Sequence, residues 1–359
     1  MPMEKELKTR VGEKIRLCLG DRARLKSLDP LAGDASTRRY YRAGLAGEDL
    51  PPSLVVMVFS GSSLPLSSEE LAVFETPPKE LPFLNLHRFL GKLDLRIPAL
   101  YGHWVDEGIL LLEDLGDQSL WDEVQGLAPD GVARWYERAI DQLLTLQIRG
   151  TEQRDDSCMA FGQRFDFRLY RWEFEHFIEY GIEKGEKGTF AGKERELLAR
   201  AFDQISRHLA KQPLFLNHRD YHSWNLMVSG QELVMIDFQD ALLAPLQYDL
   251  ASLLNDRDTD RIIRPEMEER LLSYYLDGLA AMGQEKVERD PFLETYRLST
   301  LQRDFKVVGR FVYLELIKGK SQYKRYIPPT LKRIERNLTR FPGLAEIVPV
   351  LAPHFEGMR

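Results

Sequence analysis

The sequence predicts an α+β fold of two lobes, a smaller sheet-bearing lobe over residues 1–115 and a larger, mainly helical lobe over residues 116–359. Apolar runs of strand length mark the first part, and the clearest are Leu54 to Phe59 and Gly108 to Glu113. In the second part, the apolar residues mostly recur at helical spacing. A hairpin predicted within residues 214–241 interrupts this helical pattern and carries a cluster of polar side chains.

Composition sets the broad class of the protein. The chain has 359 residues, of which 43% are hydrophobic and 29% are charged, and these values are ordinary for a globular protein with a substantial core. Its formal net charge of −7 gives no electrostatic reason to expect nucleic acid or an anionic membrane as a partner. Cys18 and Cys158 are far apart, which is typical of a reducing compartment rather than of a disulfide framework. Because no apolar segment suited to export or to membrane insertion is present, we expect a cytoplasmic protein.

The elements of the first lobe follow from local patterns. Residues 3–19 predict a helix, since their apolar side chains form one stripe. Residues 31–42 predict a tight turn that leads into a strand, because Gly33 and several small polar residues suit a turn. The other elements predicted here are the strand Leu54 to Phe59, a helix from Phe83 to Leu90, and a hairpin that joins Tyr101–Trp104 to Gly108–Glu113.

The elements of the second lobe are mainly amphipathic or buried helices. Their apolar residues recur every three or four positions, so each helix has a face that can enter a core. The predicted helices are Gly131 to Arg149, Asp166 to Gly181, Lys193 to Lys211, a helix that begins with Tyr248 to Leu254, Glu266 to Met282, Pro291 to Ile317 and Pro328 to Arg340.

The hairpin brings chemically useful side chains together. Two short apolar strands flank the turn Ser229 to Glu232. Asp220 and Asn225 lie on the loop before the first strand, and Asp237 ends the second strand. Pairing of the two strands is therefore expected to place these three side chains in one cleft, although Asp237 is distant from Asp220 in sequence.

Two carboxylates and an amide in one cleft suit phosphoryl transfer from a magnesium nucleotide. Asp220 is the candidate to accept the proton of the attacking hydroxyl, and Asn225 and Asp237 are the candidate ligands of Mg²⁺. The stretch also matches the pattern H-R-D-x-x-x-x-N followed by D-F-x, which is the catalytic-loop and metal-loop signature of protein-kinase-like folds. The alternative is that Asp220 caps a helix and Asp237 merely ends a strand. The agreement of the whole pattern in one register disfavours that alternative.

The same stretch resembles the aminoglycoside-phosphotransferase and choline-kinase superfamily. Residues 237–241 read D-F-Q-D-A, rather than D-F-G followed by a long activation segment, and Tyr248-Asp249-Leu250-Ala251 follows almost at once. These features are typical of small-molecule kinases in that superfamily. The resemblance implies a two-lobed protein-kinase-like fold, with ATP and Mg²⁺ bound between the lobes.

A closer resemblance, to the bacterial anomeric kinases for N-acetylmuramate and N-acetylglucosamine, extends over residues 30–340 or so. Those enzymes phosphorylate the C1 hydroxyl of cell-wall amino sugars during peptidoglycan recycling. The resemblance therefore implies a sugar 1-kinase with a small-molecule sugar and a nucleotide as its partners. The segments that carry it are Asp34 to Arg42, Leu111 to Asp117, Ile236 to Ala241 and Leu301 to Gly309.

The predicted nucleotide site contains one departure from the usual kinase pattern. Kinase-like folds usually place a phosphate-binding lysine on the third strand, where this chain has Met57. Arg38, Arg39 and Arg42 are candidates to neutralise the phosphates instead. The segment 113–117, where a strand leaves the sheet, is the candidate hinge whose backbone pairs with adenine. The candidate nucleotide-binding residues are Ser36, Thr37, Arg38, Arg39, Glu113 and Leu115.

The acceptor site is expected in the larger lobe, and the candidate residues are Arg171, Glu175, His222 and Asp240. Each candidate has a structural alternative: Arg171 and Glu175 as solvated helix charges, His222 as a hydrogen-bonded loop residue, and Asp240 as a helix N-cap. The carboxylate of N-acetylmuramate favours an arginine, and the sequence does not single one out.

Two other functions stay open at this point. One is a kinase of a different acceptor, such as an aminoglycoside or choline, and an amine acceptor favours a strongly acidic pocket. The other is a non-catalytic nucleotide-binding protein, which the absent lysine suggests and the intact Asp220, Asn225 and Asp237 disfavour. The acceptor, the hydroxyl attacked, the choice between ATP and GTP, and the oligomeric state are left open by the sequence.

Overall fold

The first lobe is a five-stranded antiparallel sheet with one long helix on its outer face. The computed structural model describes residues 2–31, 38–59, 80–185, 187–355 and 358. The strands run in the order β1-β2-β3-β5-β4. The long helix packs Val11 and Ile15 against Ala43, Leu54 and Val56 of the sheet. Bounds in this lobe are α1 Pro2–Leu19, β1 Arg24–Pro30, β2 Arg39–Ala46, β3 Ser53–Val58, α2 Pro82–Leu90, β4 Leu100–Trp104 and β5 Ile109–Glu113.

Strand β3 is buried on both faces, which explains its uninterrupted apolar sequence. Leu54 and Val56 face α1, whereas Met57 joins the main core with Leu110 and Leu112. Met57 pairs with Tyr40 on β2 and Leu110 on β5, and its side chain is 1% exposed. The position that carries a lysine in many kinases is therefore filled here by a core side chain.

The second lobe is mainly helical, as predicted, and two short sheets lie within it. Strand β6 pairs with β9, and β7 pairs with β8 as the predicted hairpin. Bounds are α3 Pro129–Leu144 (continued by the π turn Thr145–Arg149), α4 Phe167–His176 (continued by the π turn Phe177–Glu183), α5 Gly192–Ala210, β6 Phe215–Asn217, β7 Leu226–Ser229, β8 Glu232–Met235, β9 Leu242–Ala244, α6 Gln247–Asn255, α7 Pro265–Ala281, α8 Arg289–Lys318 and α9 Ile327–Leu338, with short helical turns at Leu120–Glu123, Gly150–Glu152, Pro342–Ala345 and Val348–Leu351. The predicted two-lobed α+β fold is thus confirmed.

Helix α8 is the central packing element of the second lobe. Its residue Phe305 contacts Phe174, Phe177 and Phe202 of the α4 and α5 layer, with ring-centre distances of 4.9–5.7 Å. No helix in the described ranges has the length and apolar character needed to cross a bilayer.

A close approach between α8 and the end of α4 predicts a sensitive position. A Cβ atom added at Gly309 would lie 2.8 Å from Cα of Phe177 and 3.0 Å from the carbonyl oxygen of His176. Because these are backbone atoms that cannot rotate away, we expect Gly309→Ala to lower the free energy of unfolding by about 2 kcal/mol. Urea unfolding measures this change. Gly192→Ala, where no heavy atom lies within 4 Å, is the matched control, and equal stability of the two variants would contradict this packing.

Candidate active site

The hairpin positions Asp237 beside Asn225 through one backbone hydrogen bond. In the β7–β8 pair Leu226 lies opposite Met235, and the N–H of Ile236 donates to the carbonyl of Asn225 at 3.0 Å. The residue that follows, Asp237, adopts a left-handed conformation with φ 63°. That conformation is costly for a residue other than glycine, and it turns the chain sharply at the end of β8.

The imidazole of His218 connects the two halves of the site. Its Nε2 donates to the carbonyl of Ile236 at 2.8 Å, and its Nδ1 accepts from the N–H of Asp220 at 3.3 Å. Since a carbonyl only accepts and an N–H only donates, both bonds together require the neutral tautomer with the proton on Nε2. The N–H of His218 donates to the buried carboxylate of Asp249 on α6. The loop that carries Asp220 is therefore fixed both to the hairpin and to the helical core.

The side chain of Asn225 is held by a hydrogen bond to the backbone of Asp220. Its Nδ2 donates to the carbonyl of Asp220 at 3.0 Å, so the Oδ1 atom is left to act as a ligand. Gln239 Nε2 donates to Asp237 Oδ1 at 2.8 Å. Phe238 stacks on Phe83 of α2 with ring centres 5.0 Å apart. Helix α2 of the first lobe therefore packs against the turn that carries Asp237 and supports it.

The electrostatics of Asp237 fit a cation. The side chain reaches solvent, yet the surrounding protein removes enough water to raise the pKa of Asp237, while Gln239 opposes that rise. The negative charges of Asp240 and Asp220 raise the pKa further, and Arg38 opposes them. No group of three His, Cys, Asp or Glu residues that could hold a metal occurs in the described part of the chain. A magnesium ion does not need one, because it retains waters and phosphate oxygens beside one or two protein ligands.

Asp220 lies beside two cations from α8. Arg303 Nη2 and Lys306 Nζ lie 3.6 Å and 4.0 Å from Asp220 Oδ1. Burial by itself raises the pKa of Asp220, but Lys306 and Arg303 outweigh this and hold that pKa below its ordinary value. Asp220 is therefore ionised at neutral pH, ready to accept a hydrogen bond from a hydroxyl group.

A buried carboxylate, Glu173 of α4, contacts one of those cations. It is 1% exposed and lies 3.3 Å from Lys306 and 3.8 Å from Arg219. Gln302 Nε2 donates to its second oxygen at 2.5 Å. Arg303 also donates to the carbonyl of Arg219 at 2.8 Å. Glu173 thus fixes the position of the positive charge that faces Asp220.

Two of the predicted acceptor residues lie in a different charge cluster. Arg171 contacts Glu175 at 2.7 Å and Asp203 of α5 at 3.0 Å, and Glu175 also contacts Arg195 at 3.4 Å. These are ion pairs across the α4–α5 surface. Glu173 of α4 contacts Lys306, which lies beside Asp220. Arg171 and Glu175 lie on other faces of the same helix, because neighbouring helical positions point in different directions.

The other two predicted acceptor residues do lie near the catalytic loop. His222 is buried beside Trp224, and burial lowers its pKa to about 4, so the ring is neutral at neutral pH. Asp240 acts electrostatically on Asp237, and its buried Oδ1 has no hydrogen-bond partner within the described ranges. The next helix begins at Gln247, so Asp240 does not cap it.

The three arginines that are candidates to neutralise the phosphates have different environments. Arg38 is buried, and its positive charge opposes the rise in the pKa of Asp237 and of the Tyr40 hydroxyl. Arg39 is exposed at the start of β2, and Arg42 forms ion pairs with the hinge carboxylates of Asp114 and Asp117 at 2.6 Å and 2.9 Å. Ser36 and Thr37 lie outside the described residues.

Ion pairs hold the candidate hinge in place on both of its sides. The guanidinium of Arg96 binds the carboxylate of Glu113, which also accepts from the N–H of Ala99 at 2.9 Å. Asp114 accepts from Ser53 Oγ at 2.6 Å as well as from Arg42. The side chain of Glu113 is thus engaged, so any contact of Glu113 or Leu115 with adenine falls to the backbone.

The two cations beside Asp220 were not predicted from the sequence. Arg303 and Lys306 belong to a segment that the resemblance includes, and no role was predicted for either. Both are buried although they carry charge, and both lie in a helix whose buried side also contains Leu301, Phe305 and Val308. Charged residues at apolar helical positions were the available signal.

Comparisons with known proteins identify the family and the fold. Residues 27–284 match the model of the phosphotransferase enzyme family. The N-acetylmuramate/N-acetylglucosamine kinase of Pseudomonas putida is 30% identical over 335 residues, which is 93% of this chain and 90% of that protein. The choline kinase of Cryptosporidium parvum is 12% identical with a TM-score of 0.59, covering 90% of this chain and 92% of that one. The ADP-bound aminoglycoside phosphotransferase APH(2″)-Ib is 17% identical with a TM-score of 0.55, covering 95% and 98%. At these identities the two structures show the fold, and they confirm the predicted two-lobed kinase-like architecture.

The buried charge cluster predicts a specific stability effect. Glu173→Gln keeps the shape of the side chain but leaves Arg219 and Lys306 without their shared carboxylate. We expect the free energy of unfolding, measured in urea, to fall by about 3 kcal/mol, the cost of removing the carboxylate from a buried ion pair. Glu175→Gln, two residues away and only partly buried, is the matched control and is expected to change little. A loss for Glu173→Gln no larger than that of the control would show that the cluster does not stabilise the fold.

Proposed function

Because the chain belongs to the phosphotransferase enzyme family, we propose that it transfers the γ-phosphoryl group of ATP to the anomeric C1 hydroxyl of N-acetylmuramate and N-acetylglucosamine in cell-wall recycling. The observation that carries the proposal is the juxtaposition of an ionised Asp220 with the oxygen ligands Asn225 and Asp237 in one hydrogen-bonded loop. The choice of these sugars rests on the relative from Pseudomonas putida.

Asn225 and Asp237 would hold the magnesium ion of the nucleotide. The donor set of one amide oxygen and one carboxylate suits a hard cation, and a cation would offset the unfavourable negative charge around Asp237. When bound, the ion neutralises charge on the phosphate oxygens. The backbone of Glu113 and Leu115 would pair with adenine, next to the hinge that Arg42 and Arg96 brace.

Asp220 would orient the sugar hydroxyl and receive its proton. In this step the C1 oxygen forms a bond to the γ-phosphorus, the bond from that phosphorus to the bridging oxygen of ADP breaks, and the hydroxyl proton passes to the carboxylate. A lowered pKa makes Asp220 a weak base, which is sufficient because the transition state of phosphoryl transfer is loose and catalysis depends on positioning.

Arg38 is the residue that we propose as the replacement for the missing lysine. Of the three arginines near the turn, Arg42 is engaged by Asp114 and Asp117, and Arg39 is exposed. Arg38 is buried and acts on Asp237, the proposed metal ligand. Its guanidinium can bind phosphate oxygens bidentately, which a lysine cannot do.

The charges around Asp220 favour a neutral or anionic acceptor. Arg303 and Lys306 contact Asp220, and the ring of His222 is neutral. An amine acceptor favours a strongly acidic pocket, whereas here two cations lie beside Asp220, so a kinase of choline or aminoglycosides is disfavoured. His222, with a buried Nδ1 that has no partner within the described ranges, is our candidate to hydrogen-bond the sugar.

The function is tested by ATP consumption with magnesium over N-acetylmuramate, N-acetylglucosamine, other hexoses, choline and kanamycin. We expect turnover on the N-acetyl sugars and a product whose phosphorus couples to the anomeric proton in NMR. In Asp220→Asn we expect kcat to fall by roughly a thousandfold while ATP affinity changes little, since Asp220 touches the acceptor rather than the nucleotide. Turnover on amines alone would contradict the proposal, and wild-type kcat in Asp220→Asn would remove that residue from its role.

Arg38→Met tests the replacement of the lysine. We expect kcat/KM for ATP to fall by roughly a hundredfold, because a desolvated charge that faces the phosphates is lost. Arg39→Met, the exposed neighbour, is the control and is expected to keep kcat/KM within about twofold of wild type. If the two variants behave alike, Arg38 is not the phosphate-binding residue.

A further inference from the structure

The loop that follows α6 holds an arginine in an unusual backbone conformation. Arg257 has φ 50°, in the left-handed region that residues other than glycine rarely adopt. Its carbonyl accepts from Nη1 of Arg333 at 3.3 Å, and Asp304 binds Arg333 through both carboxylate oxygens at 2.7–3.0 Å. The carbonyl of the preceding Asp256 accepts from the N–H of Thr259 at 3.0 Å. Contacts from α8 and α9 thus hold the loop in a costly conformation that sets the direction of the Arg257 side chain.

Three aromatic rings lie around the guanidinium of Arg257. Its central carbon lies 4.5 Å from the ring centre of Trp224, 5.6 Å from that of Tyr323 and 5.9 Å from that of Tyr326. The side chain is 13% exposed. Cation–π contacts orient a guanidinium and stabilise its charge without cancelling it.

The positive charge of Arg257 is incompletely balanced by its neighbours. Asp256 Oδ1 lies 3.5 Å from Nε of Arg257, but the described residues provide neither atom with a hydrogen-bond partner. The other oxygen of Asp256 lies 3.6 Å from Arg303, so this one carboxylate is shared by two guanidinium groups. A ligand carboxylate would supply the charge and the hydrogen-bond acceptors that the site lacks.

A chain of contacts connects Arg257 to the proposed catalytic carboxylate. Arg257 contacts Asp256, Asp256 contacts Arg303, and Arg303 contacts Asp220, at 3.5–3.6 Å for each step. Trp224, over which Arg257 lies, belongs to the loop between Asp220 and Asn225. Arg257 therefore borders the acceptor side of Asp220, whereas the residues proposed for the nucleotide border Asp237.

We propose that Arg257 binds the carboxylate of an anionic acceptor sugar and is the residue that selects N-acetylmuramate over N-acetylglucosamine. This inference rests on the proposed function and adds to it a specificity-determining residue. The two sugars differ in the lactyl ether at C3, which places a carboxylate two ring carbons away from C1. When the C1 hydroxyl lies at Asp220, the carboxylate at C3 needs a positively charged partner further along the same side of the site. Arg257 has the charge, the planar guanidinium and the location for this role.

The test separates carboxylate binding from a purely structural role of Arg257. The steady-state kcat/KM is measured for N-acetylmuramate and for its methyl ester, in wild type and in Arg257→Gln. In wild type we expect the ester to be poorer than the acid by roughly thirtyfold or more, because the charge-assisted pair is lost. In Arg257→Gln we expect the acid and the ester to be nearly equal, since the coupling between the two groups disappears.

Two further variants separate the shape of the Arg257 guanidinium from its charge, and the loss of Arg257 from the loss of any nearby arginine. Arg257→Lys retains the charge without the bidentate fork, and we expect an intermediate preference for the acid over the ester. Arg261→Gln removes an exposed arginine four residues away, and we expect the wild-type preference to persist. The ratio of kcat/KM for N-acetylmuramate to that for N-acetylglucosamine should fall in Arg257→Gln and persist in Arg261→Gln.

Each other outcome overturns a distinct claim. If wild type phosphorylates both sugars but Arg257→Gln retains the preference for the acid over the ester, Arg257 does not bind the carboxylate. If Arg257→Gln lowers kcat/KM for acid, ester and N-acetylglucosamine equally, together with a lower Tm, the residue only anchors the loop and the inference is wrong. If wild type phosphorylates neither sugar, the proposed function fails, and the inference that depends on it fails too.

Discussion

The geometry of the candidate site depends on the His218 imidazole. One ring nitrogen donates to the backbone of the strand that leads to Asp237, and the other accepts from the backbone of Asp220. A single planar ring therefore sets the spacing between the proposed metal ligand and the proposed proton acceptor. Because Asp249 of α6 binds the backbone of His218 in turn, that spacing is tied to the buried core rather than to a surface loop.

The charge around that ring is divided between two sides. Lys306 and Arg303 hold the pKa of Asp220 below its ordinary value, whereas the removal of water by the surrounding protein and the nearby carboxylates raise the pKa of Asp237. The protein thus compensates the charge of Asp220 more fully than that of Asp237, where the effect of Arg38 is outweighed. This division suits a reaction in which a hydroxyl approaches the first carboxylate and a metal–nucleotide complex approaches the second.

The absence of the usual lysine becomes understandable from the packing of the sheet. Met57 lies in a strand buried on both faces, where an ammonium group would need a carboxylate partner. The chain has a buried arginine, Arg38, next to Asp237 and uses Arg42 to brace the hinge through Asp114. We propose that Arg38, directly before β2, neutralises the phosphates in place of a lysine in the middle of β3.

The sequence by itself determined the local features of this protein. The strand at Leu54, the hairpin around Ser229 to Glu232 and the long helix now bounded by Arg289–Lys318 follow from periodicity and turn chemistry, which act between neighbours in the chain. The grouping of Asp220, Asn225 and Asp237 was also predictable, because a short hairpin imposes it. These features required no knowledge of distant contacts.

Only the tertiary structure decided which charged residues share the site. Arg171, Glu173 and Glu175 look alike in an amphipathic helix, yet only Glu173 faces α8 and the cations beside Asp220. Similarly, the orientation of Arg257 depends on a left-handed backbone that Arg333 of a distant helix stabilises. The physical reason is that burial and charge pairing arise from segments far apart in sequence, and local periodicity carries no information about the partner that a given helix face will meet.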